Sequence, residues 1–298
     1  MQRQTAALTL GALGLTLALA LVAPGPARAD EAAGHYTLAL QYKREGKVPD
    51  AIAECQKAIQ MRPDYAAAHL TLGNLYRGEG DYARAAGEFE KTVKLQPKDA
   101  TARSNLGAAY VRLKRLDDGI RELEAALDLK PDDYETRVSL GFAYKQKGDY
   151  KHAIEHLQKA TDVKPDAAEA WTNLGIAKSK TDDHDGAITA LRKAITLRPE
   201  DADLHFDLAV VFRRERKTDE AIAEYRLALD KDPRYAPAYY DLGVLYSQEK
   251  KTNEAREAFE NYLKYGIHED AASRKDAEER LKTFKVSDDG KTATDKRK

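Results

Sequence analysis

The string with the clearest potential for chemistry is His152-Ala153-Ile154-Glu155-His156. Residues four apart on a helix share a face. Two imidazoles with a carboxylate between them could therefore hold zinc and supply a general base for hydrolysis. A third ligand and a water-excluding cleft would also be needed, and the surrounding sequence offers neither. The histidines His35, His69 and His205 are too far apart in sequence to converge on a metal. Cys55 is the only cysteine, so no intramolecular disulfide can form. No glycine-rich phosphate loop, nucleophile elbow or paired-carboxylate signature stands out. The expectation is no catalytic residue, no metal and no cofactor.

What positions these residues is a repeat. Pro63, Pro97, Pro131, Pro165, Pro199 and Pro233 lie 34 residues apart. A fixed period of that length marks stacked helix–turn–helix pairs. With the proline counted as position 32, repeats one to seven start at residues 32, 66, 100, 134, 168, 202 and 236. Position 7 is then always Leu, from Leu38 to Leu242, and position 8 is always Gly or Ala. Position 11 is aromatic in Tyr42, Tyr76, Tyr110, Tyr144, Phe212 and Tyr246, with Lys178 the exception. Position 20 is small, from Ala51 to Ala255, and position 27 is Ala in five repeats. Leu at 7 and the aromatic at 11 stack on one helix face. Small residues at 8 and 20 let the two helices of a pair cross closely. The proline ends the second helix, and the acids after it (Asp64, Asp99, Asp132, Asp166, Asp201) suit the next helix start.

This register bears on the candidate chemistry. His156 stands at position 23, which is Glu54, Glu88, Glu122 and Glu224 elsewhere, so it is expected to face water on the outer surface. Cys55 stands at position 24 with Phe89, Leu123, Leu157, Leu191, Tyr225 and Phe259, a core position where it acts as a small hydrophobe.

The pattern resembles the tetratricopeptide repeat family, most visibly in "AWTNLGIAKSK" at 170–180 and "AYYDLGVLYSQ" at 238–248. The resemblance covers the seven repeats, 32–269. Lys178 departs from it in repeat five; Ile267 and Tyr262 depart from it in repeat seven, where the array stops. It implies an all-α, right-handed superhelical α-solenoid whose ligands lie along a concave groove lined by the first helices. Positions 2, 5, 6, 9, 12 and 13 would face that groove. Position 5 gives Tyr36, Leu70, Ser104, Val138, Thr172, Phe206 and Tyr240. Position 9 gives Leu40, Asn74, Ala108, Phe142, Ile176, Val210 and Val244. An apolar track of this kind, if exposed, marks an interaction site; packing between turns is the alternative. Positions 12 and 13 give a basic edge: Lys43, Arg44, Arg77, Arg112, Lys145, Lys180, Arg213 and Arg214. Glu135, Glu169 and Asp203 at position 2 make an acidic one. Compensation of the helix dipoles also accounts for both edges. Asn105 and Asn173 at position 6 could hydrogen-bond the backbone of an extended peptide.

The first 29 residues differ in kind. Residues 6–23 carry no charge, and Pro24, Pro26 and Ala27-Arg28-Ala29 follow. This is the pattern of a secretory signal peptide cut after Ala29; the alternative is an uncleaved anchor in the inner membrane. Cleavage leaves 269 residues with 47 basic and 50 acidic groups, net −3. A near-balance of acids and bases, with a slight acidic excess, argues against nucleic acid. Residues 270–284 should form a capping helix with Ala277, Leu281 and Phe284 on one side, and 285–298 should be disordered. The resemblance and the leader together imply a non-enzymatic scaffold that binds an extended or helical protein segment in a periplasmic envelope assembly. The alternative is a chaperone-like holder of unfolded exported clients.

Overall fold

The computed structural model describes residues 26–295, and these form helices joined by short turns. In chain order the helices are α1 (Pro26–Arg44), α2 (Val48–Met61), α3 (Ala66–Gly78), α4 (Tyr82–Leu95), α5 (Ala100–Arg112), α6 (Leu116–Leu129), α7 (Tyr134–Lys147) and α8 (Tyr150–Val163). They continue as α9 (Ala168–Ser179), α10 (His184–Leu197), α11 (Ala202–Arg214), α12 (Thr218–Lys231), α13 (Ala236–Gln248), α14 (Thr252–Tyr265) and α15 (Ala271–Asp295). The first helices of repeats two to seven start at residues 66, 100, 134, 168, 202 and 236, as the proline period predicts.

Start and stop signals act locally. Asp99 and Asp201 accept backbone N–H bonds as N-caps. In repeat four the cap is Asp133, one residue later than expected. In repeat five Ala167 holds the cap place, so Asp166 does not cap. Each turn between paired helices needs one left-handed residue. Gly46, Gly80 and Gly148 fill it at φ 73–82°, whereas Lys114, Asp182, Arg216 and Lys250 adopt φ 58–64° despite their Cβ atoms.

The described residues divide into two compact blocks, 26–75 and 76–295. In the first, α1 packs on α2, with Ala39, Ala51, Cys55 and Ala58 fully buried between them. Burial pushes the Cys55 thiol up to about 11, so it stays protonated and unreactive. α1 begins at Pro26, earlier than the repeat register requires, because proline fits a first turn and the Ala-rich segment after it favours helix. The expected cleavage triplet therefore lies in the first turn of α1; residues 1–25 of the expected leader lie outside the described residues. Among the described residues no helix is long and apolar enough to cross a membrane.

In the second block each first helix packs on its own second helix and on the helix before it. Phe89, Leu123, Leu157, Leu191, Tyr225 and Phe259 at position 24 are fully buried. The position-8 glycines admit them: a Cβ on Gly141 would lie 2.5 Å from Leu157 Cγ, and one on Gly107 would lie 2.8 Å from the Gly119 carbonyl. The position-11 rings do more than stack. Tyr110 OH donates to Glu90 and Tyr144 OH to Glu124, both at 2.6 Å, and Arg226 Nε donates to Tyr246 OH at 3.0 Å. Each bond reaches position 25 of the preceding repeat. Lys178 has no ring to offer; its ammonium pairs with Asp183 at 3.1 Å, the N-cap of α10.

α15 closes the far end. Ala277 is fully buried against Phe259 and Tyr262, and Phe284 stacks on Phe259 at 6.4 Å. Arg274 Nη1 donates to the Gly266 carbonyl at 2.6 Å, where α14 ends. The helix continues past Phe284 to Asp295 instead of ending in the disorder expected from 285. Once a helix is nucleated by docking, adding residues costs little even without apolar side chains.

Candidate binding groove

The zinc-like motif comes apart in the structure. His152 Nδ1 lies 2.7 Å from Asp149 Oδ2, and the rings of His152 and His156 both stack on Tyr144, at 5.1 and 5.7 Å. Position 23 does not face water. Glu54 is 7% exposed, and the acids there meet position 4 of their own repeat: His35 Nδ1 with Glu54 at 2.5 Å, Arg103 with Glu122 at 2.7 Å, His205 Nδ1 with Glu224 at 2.8 Å. His156 is half-buried in the same seam; its Nδ1 has no partner and burial lowers its pKa. Among the described residues no three His, Cys, Asp or Glu side chains gather in a way that could hold a metal ion.

The first helices behave differently. In the first block, Tyr36 OH lies 3.2 Å from Thr71 Oγ1 and its ring tilts against Tyr65. Leu40 lines a hollow of about 380 Å³ with Thr37, Lys43 and Arg44. Leu70 and Asn74 are half-buried.

In the second block two clefts open on successive first helices. One, of about 400 Å³, is lined by Arg77, Ser104, Asn105, Ala108, Glu135 and Ser139 among others. The next, of about 250 Å³, is lined by Ala108, Arg112, Val138, Ser139, Phe142, Glu169 and Asn173 with Val111. Ala108 and Ser139 belong to both, so the clefts form one channel across α5, α7 and α9. Of the predicted site residues, Arg77, Asn105, Arg112, Val138, Phe142 and Asn173 meet here. Val138 is mostly core, 4% exposed against Ala160 and Ala170.

Several groove cations are already engaged. Arg77 Nη1 donates to Asn105 Oδ1 at 2.9 Å, and Lys145 Nζ donates to Asn173 Oδ1 at 2.6 Å. Arg213 Nη1 pairs with Asp241 Oδ1 at 3.2 Å. All three run from position 12 of one repeat to position 6 of the next. Arg112 Nη2 donates to Tyr82 OH at 3.2 Å. The Asn173 amide also donates to the Glu169 carbonyl, so this asparagine is held rather than left open for a peptide backbone. Burial lowers the pKa of Lys145.

Further along, Ile176, Phe206 and Val210 are half-buried. Phe206 tilts against Tyr225 and Tyr235, at 5.5 and 5.3 Å, so part of its ring serves packing. Tyr240 and Val244 do not line an open groove. They pack with Leu281 and Phe284 of α15, and Tyr240 OH donates to Asp276 Oδ2 at 2.9 Å. Sequence reasoning passed over Asp207 at position 6, whose carboxyl is pushed up to about 6 by burial and by the nearby Asp203 carboxylate. Its signal was an acid where the five preceding repeats carry an amide or hydroxyl.

The array of paired helices is shared with a known class. Family models described as tetratricopeptide repeat match residues 70–134, 172–236 and 212–266, and one described as TPR repeat matches 39–80 and 141–182. The chain belongs to the tetratricopeptide repeat family. No curated protein matches it. Among solved structures, a tetratricopeptide repeat protein from Parabacteroides merdae is 17% identical, with TM-score 0.65 over 86% of this chain and 99% of that one. The TPR protein YrrB, described as having an unusual peptide-binding site, is 21% identical, with TM-score 0.53 over 66% and 97%. The anaphase-promoting-complex assembly Cut9–Hcn1 is 23% identical, with TM-score 0.58 over 70% of this chain and only 42% of that one. These likenesses concern the fold.

Proposed function

We propose that the chain is a non-enzymatic scaffold that holds an extended or helical segment of a protein partner in its first-helix groove, as part of a bacterial envelope assembly. The carrying observation is the channel that two adjoining clefts form over α5, α7 and α9, with the Phe142 ring in its wall. The description of YrrB as peptide-binding supports the same use. Export to the periplasm rests on the uncharged run 6–23 and Ala27-Arg28-Ala29.

The test is in-cell crosslinking and affinity capture beside a triple variant, Phe142→Ala with Asn105→Ala and Asn173→Ala. One or a few envelope proteins, lost with the variant, is the expected result. The same proteins captured by both chains would remove the groove from consideration. Many weakly held unfolded chains would make the protein a client holder instead. N-terminal sequencing checks export: a periplasmic chain starting at Asp30 is expected, and a membrane-bound chain starting at Met1 would make the leader an anchor.

A further inference from the structure

At positions 5 and 9, repeat three carries the smallest side chains of any repeat, Ser104 and Ala108. Position 5 holds a larger apolar or aromatic side chain in repeats one, two, four, six and seven, and position 9 does so in repeats one and four to seven. The missing bulk leaves the cleft of about 400 Å³ over α5. Ala108 and Ser139 join it to the cleft of about 250 Å³ beside Phe142.

The two parts of this hollow differ in chemistry. In the second, Val111 and Val138 give an apolar floor, and the half-buried Phe142 ring gives a wall. In the first, Ser104, Asn105 and Ser139 supply polar groups. Ser104 Oγ lies 2.7 Å from Thr136 Oγ1, and Asn105 Oδ1 accepts from Arg77. Ser139 differs. Helical hydroxyls elsewhere turn back on their own helix, as Thr172 does to the Ala168 carbonyl and Ser247 to the Gly243 carbonyl. Ser139 is half-buried, lines both clefts, and makes no hydrogen bond with any described residue.

The charges around the hollow cancel. Arg77 and Lys130 are matched in number by Asp133 and Glu135, and Arg112 by Glu169. Arg77 is held by Asn105, Arg112 by Tyr82, and Asp133 by the Thr136 N–H at the start of α7. A charged side chain would leave water for a lining with no net charge, at a cost. A neutral ring with one polar atom avoids that cost.

We propose that the partner segment anchors here through a tyrosine side chain. Its ring fills the hollow that Ser104 and Ala108 leave open and lies against Phe142 and Val138, and its hydroxyl bonds to Ser139. Tyrosine combines an apolar body with one polar tip, and large aromatic side chains set in pockets dominate the energy of such contacts. This rests on the groove reading above and names the side chain that the groove selects.

The probe is an acetylated, amidated pentapeptide with tyrosine at its centre and alanine elsewhere. Three controls carry phenylalanine, leucine or alanine at the centre. Binding to the mature chain is read by titrating the methyl signals of Ala108, Val111 and Val138. The tyrosine peptide should bind about tenfold more tightly than the alanine one, the scale of burying a large apolar side chain. It should bind about threefold more tightly than the phenylalanine one, the scale of one neutral hydrogen bond. Ser139→Ala should remove the preference for tyrosine over phenylalanine and leave phenylalanine binding unchanged. Ala108→Phe closes the hollow with the ring that repeat four carries at the same position, and should remove the preference for either ring over alanine. Melting curves check that both variants remain folded, and the peptide series on the unaltered chain stands without them. Tyrosine and phenylalanine binding alike overturns the bond to Ser139 and with it the choice of tyrosine. Leucine or alanine binding as tightly as tyrosine, with the methyl signals shifted, overturns the aromatic anchor and leaves the groove. No shift with any peptide overturns both.

Discussion

At the joint between repeats six and seven an aspartate meets an arginine and a tyrosine, while one joint earlier the positions of those two partners hold a serine and a leucine. Both joints share one framework. Leu208 and Leu242 at position 7 are buried alike, as are Ala221 and Ala255 at position 20. The framework positions fix the fold, and positions 6, 12 and 24 decide whether a joint is chemically closed. Repeat identity is therefore a property of packing, and binding chemistry can be written into one joint without disturbing the stack.

Five substitutions test that contrast. The largest effect should come from Tyr225→Ala, which opens a cavity and strands Asp241; a loss of about 3–5 kcal/mol is expected in urea denaturation. A loss below about 1 kcal/mol would mean that the closed joint contributes little beyond its framework. Asp241→Asn should cost about 2 kcal/mol, because it leaves the Arg213 charge poorly matched.

Asp207→Asn should do the opposite and stabilise the chain at pH 7, by about 1 kcal/mol. The sign follows from linkage. The folded carboxyl titrates near 6, above its ordinary value of 3.8. The folded state thus binds more protons across that interval, and stability attributable to Asp207 falls as pH rises from about 4 to about 6. The variant should lose that slope, measured as melting temperature against pH; an unchanged slope would place the titration elsewhere. The smallest effect concerns the turn of repeat six, where Arg216 sits at φ 61°. Arg216→Gly should stabilise by about 0.5 kcal/mol, whereas Gly148→Ala at φ 82° should destabilise.

The framework was legible in the sequence because its apolar and small residues must recur wherever helix pairs stack. The proline period gave the starts of six helices, and position 24 gave the core. The joints were not legible to the same degree. Arg77, Lys145 and Arg213 read as a basic edge, yet their partners Asn105, Asn173 and Asp241 lie 28 residues on, in the next repeat. Position 23 misled for a related reason: Glu54, Glu122 and Glu224 look like surface acids until their position-4 partners are seen. Tyr240 and Val244 read as groove because the sequence shows an amphipathic last helix but not where it docks.

The tyrosine hydroxyl bonds carry a mechanical consequence. Tyr110, Tyr144 and Tyr246 each tie their repeat to the one before, whereas Lys178 and Phe212 have no hydroxyl to give. Two consecutive joints, on either side of repeat five, lack the tether that stiffens the others. Under a pulling or bending load, compliance concentrates there, so tension transmitted along the chain would alter the spacing around Asp207 before it disturbed the repeats at either end of this block.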